Sequence, residues 1–489
     1  MSKNSRVVWC IVALFALLCT TAVAQSVLEK LPYSGDVLVS RAIRAGRIQL
    51  PNGSANVGTN PQLTCSPAPC VFTPTQASPG TNIADENPIV ANPTNAMNLL
   101  TGANDYSCQS TSFVGTYAST DGGTTWTRKC LPGSGGEGDP IVGFDTTGVA
   151  YAGGIQNGSV VLASSTNGGI TFGTPKQVIN AKLGYLADKP WLEVDTNSGS
   201  SRKNALYVST TQFASNSNSQ IWVSHSTDGG NTWTSTAVDT IQVFPNAVDQ
   251  FSDLAVGSDG TVYVDWIRCP ANGPSGDCGG TSTPIMFSKS TDGGNTWSTA
   301  TTVTTAKLTP DPNFCCFYGA LPVTNFERVS NVPSNAASGS SSTATVYVTY
   351  YNYTGTQMQV NVIKSSDGGS TWGTPARVTT STKGDEFFPW INLASNGRKL
   401  AATWLDRRND STNTKYQPFF ATSNNGSSWS ASHALSSKQS NPNNDGFGGG
   451  FMGDYRTHVW SGFAVDASWM DTTFTNVNCQ DAVGGVQLK

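Results

Sequence analysis

The chain has 489 residues, with 28 basic and 32 acidic side chains and a net charge of −4. That acidic balance argues against nucleic acid or an anionic membrane surface as partner. Only 12% of residues are charged while glycine alone numbers 50, a composition poor for long helices and typical of secreted β-rich chains.

In chain order, Lys3 and Arg6 precede an apolar run from Val7 to Leu18 and the small-residue stretch Ala22-Val23-Ala24. This pattern predicts a signal peptide over residues 1–24, a mature start at Gln25 and a secreted or periplasmic location. The run is too short for a membrane anchor, no later stretch could span a bilayer, and Leu18 stands before Cys19 where a lipoprotein has a small residue. Loss of Lys3 and Arg6 takes the net charge to about −6. Residues 25–82, rich in Pro, Gly and Ser, read as an irregular lead-in to a domain over 83–489. In an oxidising compartment the spacings suit bridges Cys65–Cys70, Cys108–Cys130 and Cys269–Cys278, with one of Cys315 and Cys316 a candidate partner for Cys479. These spacings match no common zinc pattern, with only His225, His433 and His458 to assist, so no metal or cofactor is expected.

From Ser119 onward one pattern recurs six times, Ser/Thr-x-Asp/Asn-x-Gly-x-Thr/Ser-aromatic, with its acidic position at Asp121, Asn167, Asp228, Asp292, Asp367 and Asn424. Asp or Asn followed two residues later by Gly suits a tight hairpin, since the side chain accepts bonds from turn N–H groups and Gly takes positive φ cheaply. Each copy follows an apolar run that reads as a third strand (Phe113 to Tyr117 and Ile221 to Ser224, for example), preceded by a pair such as Asp253 to Val256 with Val262 to Trp266. One four-stranded blade per copy gives a β-propeller. Thr457 to Trp460 with Phe463 to Trp469 adds a seventh blade without a copy of its own. Its outer strands would come from Phe474 to Asn478 and the tail, or from the N-terminal stretch near Val37 to Val39 acting as a clasp; six blades is the alternative.

These copies resemble Asp-boxes, the bacterial neuraminidase repeats, and residues 85 to 475 resemble the sialidase superfamily. The resemblance implies a glycan-active propeller, with arginines binding a sugar carboxylate, a Tyr nucleophile activated by a Glu and an Asp as acid/base. The family's first arginine motif is absent, since Glu86-Asn87-Pro88-Ile89 stands in its place.

Blade topology puts the hairpins on one face and the starts of first strands on the other, where the sparse charges gather. Asp406, Glu386, Asp454 and Tyr455 are the candidates for acid, base or nucleophile, with Glu386 as activating partner of Tyr455. Arg268, Arg328, Arg407, Glu86, Asp139 and Asp188 are the candidates for substrate binding. The same acids could instead cap backbone N–H groups or pair with the arginines. The expected function is therefore a secreted sialidase-like glycoside hydrolase of acidic or terminal sugars. The alternatives are a non-catalytic propeller binding polysaccharide or a cell-surface protein, and a polysaccharide lyase.

Overall fold

Seven antiparallel blades follow one another around a ring, six of consecutive strands and the last completed from near the N-terminus, beside one two-stranded hairpin, in a computed structural model that describes residues 31–50, 69–79, 82–270, 282–310, 318–324, 327–448, 450–475 and 478–488. They form a seven-bladed β-propeller, which excludes six. Blade three is representative: Leu186–Val194, Leu206–Phe213, Ser219–Ser226 and Thr234–Ala237 pair in order from axis to rim. Separate apolar clusters fill the gaps between blades, for example Ile141, Leu162 and Val178 against Leu192 and Leu206. Blade five begins at Ser334–Ser338, and the preceding Arg328–Ser330 pairs with Tyr318–Ala320 as a small hairpin.

The ring closes through the last blade, where His458–Ser461, Ala464–Asp471 and Gln480–Gln487 are joined by Cys70–Val71 and Thr75–Gln76. An N-terminal clasp thus exists, but not where expected: Val37 to Val39 lie within a helix, Gly35–Arg44, and the third strand comes from the tail beyond Asn478. The helix carries Asp36 in its first turn and Arg41 and Arg44 in its last, matching its dipole. Val37, Val39 and Ala42 are fully buried, in a central cluster with Phe213, Phe251, Phe388 and Met452.

Five of the six repeated hairpins form the expected network between third and fourth strands. In blade one Ser119 Oγ donates to Asp121 (2.8 Å) and accepts from Gly123 N (2.8 Å), while Asp121 accepts from Thr125 N (2.9 Å) and Thr125 Oγ1 (2.6 Å). Bonds from Thr371 hold the exposed Asp367 carboxyl down at about 2, and those from Thr232 hold Asp228 below its usual range too. In blade six the turn is one residue shorter, and Asn425, not Asn424, takes the acidic position: it accepts from Ser423 Oγ, Ser427 N and Ser428 N.

Cys108 and Cys130 form a disulfide with Cα atoms 5.5 Å apart, tying the third-strand approach of blade one to its outer strand. Cys70 and Cys269 are also disulfide-bonded, but Cys65 and Cys278 lie outside the described residues, as do the signal peptide and Cys315 and Cys316. Cys479 is a buried free thiol, so it is not the bridge partner considered for it. No helix among the described residues is long and apolar enough to cross a membrane.

Candidate functional site

First strands are interrupted where they reach the face opposite the hairpins. Glu86, Asp139, Lys189, Phe251 and Phe388 each take positive φ, between 47° and 62°, and pairing skips two residues there in blades two, three, four and six. Such bulges re-aim side chains and store backbone strain of order 1 kcal/mol each. Proline follows directly in three of them (Pro140, Pro190, Pro389), and this fixes the extended path back into the strand.

Six of the predicted residues come together at one mouth. Glu86, Asp139, Asp188, Asp454, Arg328 and Tyr455 converge there, joined by Lys189 and by two groups that sequence reasoning had not singled out, Asp36 and Asp85. Glu86 Oε1 accepts from Asp454 N (3.0 Å), Asp139 Oδ2 from Lys189 N (3.2 Å), and Arg328 pairs with Asp454 at 2.5 Å. Glu86 and Asp139 lie carboxyl beside carboxyl, and Glu86 Oε2 and Asp139 Oδ1 face no donor. Burial pushes the Glu86 carboxyl up to about 8 and that of Asp188 to about 7, with Asp139 raised well beyond its usual range for the same reason.

The mouth is nevertheless closed. Ser34 donates from N and Oγ to the Asp188 carboxylate, both at 2.8 Å, and Gly35 N donates to Asp454 (3.1 Å). Helix Gly35–Arg44 then lies across the opening. Tyr455 is buried, and its hydroxyl donates to Pro140 O (3.0 Å) rather than to a carboxylate. The helix was legible in Asp36, the apolar Val37-Leu38-Val39 and the basic Arg41 and Arg44, but its place over the mouth was not.

The remaining candidates lie apart from that cluster. Glu386 and Asp406 face each other across blade six. Glu386 accepts from Val360 N (2.9 Å) and pairs with Arg377 (3.3 Å), while Asp406 pairs with Arg408 (2.5 Å) and accepts from Trp404 Nε1 (2.7 Å). Tyr455 therefore has Glu86 and Asp139 as its nearby acids, not Glu386. Arg268 is held by Asp249 and Asp239, and Arg407 donates to Pro322 O (2.6 Å) with Asp385 at 3.5 Å. The three arginines do not form a triad, and each already holds a carboxylate. Among the described residues no group of three or more His, Cys, Asp or Glu side chains is placed to hold a metal ion.

The open space is at the other end of the channel. On the hairpin side, first strands and the turns that follow them surround a cavity of about 800 Å³. Trp191 and Trp390, with ring centroids 4.7 Å apart, close its inner end, and the edge of Trp191 meets Tyr455 beyond. Glu193, Asn335, Asn392 and His458 line the wall and Arg398 the rim. Burial pushes the Glu193 carboxyl well up, Asp253 to about 7 and the His458 imidazole well down, so the wall is polar and disfavours charge, with Arg398 the cation at its rim.

No family model matches the chain, and no curated protein matches it. Its structure is similar to that of a ulvan lyase from a new polysaccharide-lyase family (10% identity, TM-score 0.46, covering 88% of this chain and 94% of that one). It is also similar to the intramolecular trans-sialidase of Ruminococcus gnavus (12%, 0.42, 73% and 94%) and an α-L-arabinanase of Penicillium chrysogenum (14%, 0.42, 71% and 92%). These likenesses are too distant to transfer an activity, and the seven blades rest on the chain's own strand pairing.

Proposed function

We propose that the protein is a secreted glycan-binding propeller whose recognition pocket is the channel mouth on the hairpin side, and that its ligands are neutral rather than acidic sugars. The supporting observation is the cavity of about 800 Å³ with the Trp191–Trp390 pair at its base and amide, hydroxyl and carboxyl groups on its wall. Aromatic rings present flat apolar faces to sugar C–H groups, while side-chain amides and protonated carboxyls exchange hydrogen bonds with hydroxyls. An acidic sugar finds no partner of opposite charge there except Arg398 at the rim. The disulfide suits an oxidising compartment.

Hydrolysis at the opposite mouth is the weaker reading, because its carboxylates are buried beneath the helix and bonded to backbone or arginine. Calorimetric titration of neutral and uronate oligosaccharides tests the proposal. Neutral chains are expected to bind, with loss of binding in Glu193→Leu and Asn392→Leu and none in Glu386→Gln. Absence of any saccharide binding would end this reading, and turnover of aryl glycosides abolished by Asp188→Asn would restore the hydrolase.

A further inference from the structure

The seat of the N-terminal helix has an unusual charge balance. From blade one come Asp85 and Glu86, from blade two Asp139, from blade three Asp188 and Lys189, and from the last blade Asp454. The Tyr318–Ser330 hairpin adds Arg328, and the helix itself inserts Asp36. All are buried, at 2% exposure or less, so six carboxyl groups share two cations. Asp36 Oδ2, Asp85 Oδ2, Glu86 Oε2, Asp139 Oδ1 and Asp454 Oδ1 find no donor, and Lys189 Nζ finds no acceptor. Buried like charges at such range cannot all ionise while the seat stays dry.

Steric fit at this end is equally tight. A side chain at Gly35 would lie 2.0 Å from the Arg328 guanidinium, and one at Gly138 would overlap Asp36 Oδ2. Tyr106 Oη donates to Asp36 at 2.8 Å. The far end is held differently: Arg41 and Arg44 pair with Glu137 (2.8 and 3.2 Å), and Arg41 also donates to Tyr185 Oη (2.9 Å). Those arginines lie partly in solvent.

We propose that helix Gly35–Arg44 is a proton-latched plug: it seats over the acidic mouth while the carboxyls there share protons, and its first turn lifts away about the Arg41–Glu137 contact when they ionise. Asp36 is the moving half of the latch and Glu86 with Asp139 the fixed half. Lifting uncovers Arg328, Lys189 and Tyr455 together with the carboxylates. The facing phenols, Tyr33, Tyr106, Tyr318 and Tyr455, are all pushed up by burial and take no part near neutrality. The sign follows from the raised carboxyls: seating is strongest below their unfolded values near 4 and weakens as pH rises through about 7 to 8, where Asp188 and Glu86 ionise. The inference does not depend on the glycan-binding reading, which concerns the other mouth.

Hydrogen–deuterium exchange of the intact protein at about pH 5 and about pH 8.5, corrected for intrinsic rate, tests it. Protection across Tyr33 to Gly46 is expected to fall roughly tenfold or more at the higher pH, while the strand Leu206–Phe213 stays protected. Asp36→Asn, or Glu86→Gln should the first variant fail to fold, is expected to abolish that difference. Gly35→Leu is expected to unseat the helix at both values. Equal protection of the helix at the two pH values, or a parallel loss in Leu206–Phe213, overturns the proposal.

Discussion

The ammonium of Lys189 lies 3.1 Å from the centre of the Tyr455 ring, so the cation at the propeller axis rests on an aromatic face instead of on any one of the carboxyls around it. It thereby serves several acids at once, Glu86, Asp139 and Asp253 among them. Replacement by Met keeps the packing on the ring and removes the charge. Lys189→Met is expected to cost about 3 kcal/mol in urea unfolding at neutral pH, as for loss of one partner from a buried charge cluster. A smaller loss is expected near pH 5, where the acids hold protons; a pH-independent loss would count against this role.

Thermal stability should peak in mild acid. Glu86, Asp188 and Asp253 are raised to about 8, 7 and 7 by burial, so their contribution is complete below about pH 4 and is lost as pH rises through those values. Asp367 is held at about 2 by Thr371, and its contribution is present above about pH 4 and lost on further acidification. Scanning calorimetry from about pH 3 to 9 is expected to give a maximum Tm near pH 4 to 5. A Tm rising steadily to pH 8 would contradict the burial assigned to this cluster.

Gly369 and Gly355 both have positive φ, 82° and 102°, but their surroundings differ. A Cβ on Gly369 would lie 2.1 Å from the Phe287 ring of the preceding blade, whereas nothing approaches Gly355 within 4 Å. Gly355→Ala is expected to cost about 1 kcal/mol from backbone strain alone, and Gly369→Ala about 3 kcal/mol because the aromatic must also move. Denaturant midpoints of the two variants provide the comparison.

The Cys108–Cys130 bridge closes a loop with a sequence separation of 22. Its removal by Cys108→Ala with Cys130→Ala is expected to lower stability by about 3 kcal/mol without altering the blade count. Circular dichroism should keep its β signature while the urea midpoint falls.

The repeated hairpins made the radial architecture readable because their network is local: Ser119, Asp121, Gly123 and Thr125 bond within seven residues. In blade six the same locality misled by one position, since Asn424 fits the spacing but the shorter turn selects Asn425. The convergence of Glu86, Asp139, Asp188 and Asp454 also followed from topology, because antiparallel blades of fixed hand must start their inner strands on one face. What topology could not give was Glu386 and Asp406 turning toward Arg377 and Arg408 inside blade six, a matter of which neighbour each side chain reaches.

The helix at the mouth is the sharpest case. Residues 35–44 carry a helical pattern readable by itself, but nothing local says that Ser34 and Gly35 will bond Asp188 and Asp454, residues 154 and 419 positions away. The sequence alone determined the propeller architecture, with seven blades favoured over six, and the face on which the first-strand acids gather, because both depend on short-range turns repeated in order. Only the tertiary structure decided which end of the channel is open, because that depends on where a segment outside the repeat finds enough apolar surface and enough protons to settle.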